Sequence, residues 1–181
     1  MDPTHLGPYE LRLKLASPSF DFQVWNALKL QAPSLLSLEG KRVLLLGELS
    51  QSEALFFLSQ GAEVQVTTLN EDTRQHFEHL GIPVRLRDPR MMETAQEKWD
   101  LIWAYSLPWT SGTTWSVAHY DRIFQSLIPA TTSNAVFLMT YPSDKKNYWE
   151  FDRMARASGW NSLFQGHREG IEMLAWTRRS F

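Results

Sequence analysis

Cysteine is absent from the chain, which removes disulfides, thiolate metal sites and a cysteine nucleophile and agrees with a cytoplasmic setting. Nothing approaches the roughly 20 consecutive apolar residues that a membrane-spanning helix needs, so no membrane role is expected. The opening MDPTHLGPYELRLKL lacks a basic segment followed by a continuous apolar one and does not read as a secretory signal. Charge of one sign is not in excess either. A formal net charge of −2 supplies no global attraction to nucleic acid or anionic membrane, and any basic surface must be local. The G-x-S-x-G elbow and the G-x-x-x-x-G-K-S/T phosphate loop are both missing, which disfavours the corresponding hydrolase and nucleoside triphosphatase classes.

What is present suits one α/β core. At 181 residues and 43% apolar, the chain can bury one sizeable core and is too short for two ordinary domains. Val43 to Leu46 form an unbroken apolar run, as a strand buried on both faces requires, and Gly47 ends it. Ser50 followed by Glu53 makes a capping box, which predicts a helix that carries Leu55, Phe56 and Leu58 and stops at Gly61. Val64 and Val66 begin a second strand. Asn70 caps a short helix through Phe77 and Leu80, Pro83 to Arg87 read as a third strand, and Trp99 to Tyr105 as a fourth. Val117, Tyr120, Phe124 and Leu127 recur at helical spacing before Pro129, and Asn134 to Thr140 form a fifth strand. Ser143 caps a last helix on which Tyr148, Phe151 and Ala155 share a face, with Gly159 past its end. Trp160 to Gln165 and Ile171 to Thr177 close the chain as a strand pair.

Residues 1–40 precede this alternation and are expected to be an extension packed on the core formed by 41–181. Tyr9, Leu11, Leu13 and Leu15 alternate as in a short strand, and Phe22 to Ala32 fit a helix beside the sheet.

The segment KRVLLLGELSQSEALFFLSQGAEVQVTTLNED, Lys41 to Asp72, resembles the cofactor half of class I S-adenosylmethionine (SAM) dependent methyltransferases, whose first loop typically runs V-L-D-L-G-x-G-x-G. The stretch W-D-L-I at Trp99 resembles their fourth strand, F-D-L-I, and the closing strand pair fits their terminal antiparallel strand. The resemblance covers about residues 40–181 and implies a Rossmann-like, mostly parallel seven-stranded sheet with helices on both faces. It places a SAM site at Gly47, Glu48, Leu49, Ser50, Thr68 and Asp88. Of the loop motif only Gly47 is kept. The family's strand-1 acid falls at Leu45, its later glycines at Leu49 and Gln51, and the ribose-binding acid of strand 2 at Thr68. Side chains at Leu49 and Gln51 occupy space that glycine leaves for a ligand, and Thr68 offers only a neutral hydrogen bond, roughly half as strong as a charge-assisted one. Cofactor binding is therefore expected to be impaired.

Ser106-Leu107-Pro108-Trp109, just past strand four, resembles the D/N/S-P-P-Y/F/W motif of methyltransferases that act on nitrogen. The resemblance makes Ser106, Pro108 and Trp109 the catalytic set, holding and stacking on a target amino group, with catalysis by alignment of nucleophile, methyl carbon and sulfur. An ordinary strand-ending turn explains the same four residues. Trp99 and Trp103 read as packing residues of strand four, while Trp109 and Trp115 are open to a binding role. Asp88 reads as salt-bridged within Arg85, Arg87 and Arg90. His76 and His79 share a helix face but have no convincing third ligand, so no metal is expected. The remaining basic residues, among them Arg153 and Arg156, read as solvated charge.

Three functions fit. The first is a non-catalytic methyltransferase-like module that binds a protein partner. The second is a divergent SAM-dependent methyltransferase acting on a nitrogen of a small molecule, protein or nucleic acid. The third is a dinucleotide-binding domain, which GKRVLLLG followed by GAEVQVT also resembles, but Glu48 and Glu53 put negative charge where a pyrophosphate would bind.

Overall fold

The computed structural model describes residues 22–46, 51–69, 71–86, 88–94, 96–104, 117–142, 148–168 and 171–178. Their strands are β1 (Arg42–Leu46), β2 (Glu63–Thr68), β3 (Val84–Leu86), β4 (Trp99–Ala104), β5 (Thr131–Pro142), β6 (Trp160–Arg168) and β7 (Ile171–Arg178). The helices are α1 (Phe22–Gln31), α2 (Gln51–Ser59), α3 (Glu71–His79), α4 (Val117–Leu127) and α5 (Tyr148–Ala157). The strands form one seven-stranded sheet in the order β3-β2-β1-β4-β5-β7-β6. β1 to β5 pair in parallel and β7 runs antiparallel to both β5 and β6.

Period-two alternation sends neighbouring residues of the central strands to opposite faces, and each face has its own apolar cluster. Val43, Leu45, Leu101, Trp103, Val136 and Leu138 join α1, α2 and Phe77 of α3 on one face. Leu44, Leu46, Ile102, Ala104, Phe137 and Met139 join α4 and α5 on the other. Because both faces are covered, the strands read as apolar runs rather than as alternating patterns.

α2 begins at Gln51, one residue after Ser50, and α2 is followed by Gly61 at φ 80°, a left-handed turn that favours glycine. Within α2 the buried aromatic pair is Phe56 and Phe57, whereas Leu58 is turned to solvent. In α1, Val24, Trp25 and Leu28 are buried in the first cluster, so this helix shares the core of the sheet. The expected strand at Tyr9 to Leu15 and the caps Ser50, Asn70 and Ser143 lie outside the described residues.

Two strands exceed their sequence-based limits by three residues or more. β5 starts at Thr131, where Trp99 pairs with it, although Thr131 to Asn134 carry no apolar alternation. β6 continues to Arg168 because its later residues pair with β7 as far as Ile171.

Tryptophans 99 and 103 are buried packing residues, as expected. Trp103 stands edge-on to Trp25 of α1 at 6.3 Å and to Phe57 of α2 at 5.4 Å. Trp99 lies in the opposite cluster, with the Arg42 guanidinium 4.8 Å from its ring centroid.

Candidate functional site

Between β1 and β4 the strand order reverses direction, and the carboxyl ends of these strands open onto the place where such sheets bind ligands. Gly47 to Ser50 and Ser106 to Trp109, which sequence reasoning placed there, lie outside the described residues, as does Trp115. Thr68, Asp88 and Glu53 can be located.

Thr68 is the last residue of β2, two strands from β4 in the sheet order, and is 1% exposed. Its neighbour Thr67 is also closed to water, and the Thr67 hydroxyl has no hydrogen-bond partner among the described residues. A buried hydroxyl in that state costs about 1–3 kcal/mol relative to a bonded one. Thr67→Val should therefore raise the unfolding free energy by about 1 kcal/mol and Tm by about 2–4 °C in a thermal melt. A fall in Tm would show that the hydroxyl is bonded.

Asp88 follows β3 and is held by a single arginine. Its Oδ1 accepts from the Arg90 backbone N–H at 2.9 Å and from Arg90 Nε at 2.8 Å. Its Oδ2 accepts from the same Nε at 2.8 Å and from Arg90 Nη2. These contacts come from three N–H groups of Arg90, the Nε–H being shared between both oxygens, so Arg90 engages both oxygens of Asp88 and occupies most of its roughly four acceptor sites. The Arg90 guanidinium holds the Asp88 carboxyl below the usual carboxylate range against the opposing effect of partial burial, and His119 acts in the same direction. Of the three arginines read around Asp88, only Arg90 is seen to make the pair. Arg85 is bound to Glu97 instead, with Nη1 3.2 Å from Oε2, and Arg87 lies outside the described residues.

Glu53 sits in the first turn of α2, as its readings as a capping residue and as negative charge at a pyrophosphate position require, and its burial to 2% exposure is not signalled by either. Negative charge there suits the positive end of the helix, and it takes the position at which an incoming anionic group would be attracted.

His76 and His79 project from α3 and are exposed. Among the described residues no three histidine, aspartate or glutamate side chains are placed to hold a metal ion. No helix among them is long and apolar enough to cross a membrane.

A second polar centre was not recognised in the sequence. Asp152 of α5 accepts from Trp176 Nε1 at 3.1 Å, from Arg156 Nε at 2.7 Å and from the Ser162 hydroxyl. Partial burial pushes the Asp152 carboxyl up, but the bonds from Ser162, Trp176 and Arg156 together bring it below its ordinary value. The Asp152–Arg156 spacing of four residues was the available signal; its partners on β6 and β7 depend on the tertiary fold.

No protein-family model matches the sequence, and no curated protein matches it. Solved structures do. The N-methyltransferase NodS from Bradyrhizobium japonicum WM9, in complex with S-adenosyl-L-homocysteine (SAH), superposes with a TM-score of 0.68 at 9% identity, over 95% of this chain and 98% of that one. A SAM-dependent methyltransferase from Mesorhizobium loti gives 0.67 at 13% identity, over 91% of this chain and 100% of that one. The ribosomal protein L11 methylase from Lactobacillus delbrueckii subsp. bulgaricus gives 0.65 at 12% identity, over 89% and 81%. The protein has the Rossmann-like fold of class I SAM-dependent methyltransferases, with the terminal antiparallel strand that the sequence predicted. At these identities the likeness establishes the fold.

Proposed function

We propose that this chain is a methyltransferase-fold protein whose SAM site has been lost and which works as a non-catalytic module for a protein partner in the cytoplasm. One observation carries the reading: Asp88, where some members of the resembled family place an acid against the adenine amino group, has both carboxylate oxygens engaged by Arg90. Thr68 supports it. A neutral, buried hydroxyl stands where the ribose hydroxyls would meet a carboxylate, and this gives up the charge-assisted bond. The residues that can be placed thus do not fit SAM, and the substituted loop at Leu49 and Gln51 points the same way. Glu53 in the first turn of α2 argues equally against a dinucleotide pyrophosphate.

Incubation with methyl-tritiated SAM and panels of amine-bearing small molecules, proteins and nucleic acids should leave no acceptor labelled above a no-protein control. Labelled product that Ser106→Ala or Trp109→Ala abolishes would overturn this reading and assign a divergent N-methyltransferase using Ser106, Pro108 and Trp109.

A further inference from the structure

The edge of the sheet farthest from β3 carries a groove that the methyltransferase fold does not require for its cofactor. It encloses about 340 Å³ between α5 and the last two strands, and is lined by Trp149, Arg156, Leu163, Phe164, Leu174 and Trp176 together with the Asp152 centre. Its origin is local. Ser162 pairs with Trp176 and Phe164 with Ala175, so Leu163 is an extra residue on β6, and such a bulge bends its strand and opens space beside it.

Three features define what would fill this groove. Trp149 is 55% exposed on α5, an unusual position for the largest side chain, and the Arg153 guanidinium lies 6.0 Å from its ring centroid. Trp149, Arg153 and Arg156 are spaced four and three residues apart, which puts them on one stripe of the helix, and all are exposed. Asp152 and Arg156 offset one another in their ion pair, so Arg153 gives the stripe its net positive charge beside the Trp149 ring. Ser162 Oγ also accepts from Arg156 Nη2 at 3.1 Å, and with Asp152 it fixes the arginine head at the groove. Finally, β6 is the sheet edge, with β7 its only strand neighbour among the described residues. Past the bulge, Phe164 to Arg168 stay in regular register with β7, as a strand able to receive an extended segment must.

We infer that the α5–β6 groove binds an extended acidic peptide, whose carboxylate meets Arg153, whose apolar anchor enters beside Trp149, and whose main chain follows the edge of β6. This rests on the partner-module reading and names the chemistry of the partner. An edge strand beside a groove of mixed polar and apolar lining favours a polypeptide over a nucleic acid, and the net charge of −2 gives no broad attraction to phosphate.

The test is fluorescence anisotropy of the full chain with a labelled peptide that alternates glutamate and valine around one phenylalanine. Its lysine-for-glutamate counterpart and two versions N-methylated at alternate residues, one in each phase, serve as comparisons. The acidic peptide should bind in low salt and weaken as salt rises. The lysine peptide should bind at least about tenfold more weakly, and Arg153→Glu and Trp149→Ala should each cost the acidic peptide about tenfold without shifting Tm. N-methylation in one phase should abolish binding, since it removes the donors to the β6 edge. Absence of binding by the acidic peptide, equal binding of the lysine peptide, indifference to Arg153→Glu or to both methylation phases, or equal displacement by a single-stranded oligonucleotide would each overturn the inference. The groove is separated from β4 by β5 and β7. SAM binding would therefore defeat the partner-module reading without touching the peptide result, and a failed peptide titration with SAM also absent would defeat only the groove.

Discussion

Trp103→Ala should lower the unfolding free energy by about 3–5 kcal/mol, the range for removing a large aromatic side chain from a closed core. Trp103 is fully buried and belongs to β4, the central strand beside the crevice. Its ring meets Trp25 and Phe57 edge-on, so its loss empties the junction of α1, α2 and the sheet at once. Trp25 and Phe57 also contact one another, at 5.5 Å, and this limits how far either can move to fill the space. Denaturant unfolding monitored by far-UV circular dichroism would measure the change, with near-UV dichroism reporting the altered aromatic cluster. A loss below about 1 kcal/mol would mean that Trp103 is not the packing residue described, because even an Ile→Val deletion typically costs about 0.5–1.5 kcal/mol in a core.

Thr68→Asp should also cost about 3–5 kcal/mol, for an electrostatic reason. The substitution restores the acid that the family carries at this position, but it does so where the side chain is almost closed to water, and an uncompensated buried charge is destabilising on that scale. Burial raises the pKa of such a carboxyl above its unfolded value. The variant's deficit should accordingly be smallest below the unfolded-state pKa of about 3.9, where the group is protonated in both states, and grow as pH rises from there through the folded-state pKa. If a SAM site were intact, ribose hydroxyls would bond to the new carboxylate and SAM would restore stability by mass action. The expected result is a variant whose Tm is the same with and without about 1 mM SAM, and a SAM-dependent rise would show a latent site.

The parts of the fold that were legible in the sequence are those specified locally. Val43 to Leu46 announced a doubly buried strand through unbroken apolarity, and Gly61, Gly81 and Gly159 marked chain reversals that do adopt positive φ. Trp99 and Trp103 were readable as core because they sit in a run that alternates between two covered faces. The start of β5 was not readable. Thr131 to Asn134 are polar, and they are held in the strand by neighbours distant in sequence, including Trp99 and the Arg178 Nη1 bond of 2.6 Å to the Thr131 carbonyl. The same distinction separates the two polar centres. Asp88 and Arg90 are two residues apart, so their pairing was visible. The Asp152 centre needs Ser162 and Trp176 to be brought together by β6 and β7, and no local pattern reports that. The burial of Glu53 was hidden for a related reason, since a first-turn glutamate is ordinarily solvated and its 2% exposure is a property of the folded chain.

The proposed loss of the cofactor site rests on particular side chains rather than on low similarity. The fold keeps the strand order of SAM-dependent enzymes, while the two polar groups that can be placed are neutral, as at Thr68, or engaged by an arginine, as at Asp88. Function is thus decided by the site, and the shared fold leaves it open.

Isothermal titration calorimetry of the full chain with SAM and with SAH tests this most directly, with tryptophan fluorescence as a second readout. The account predicts no saturable heat up to about 1 mM of either ligand. A micromolar dissociation constant for either would contradict it.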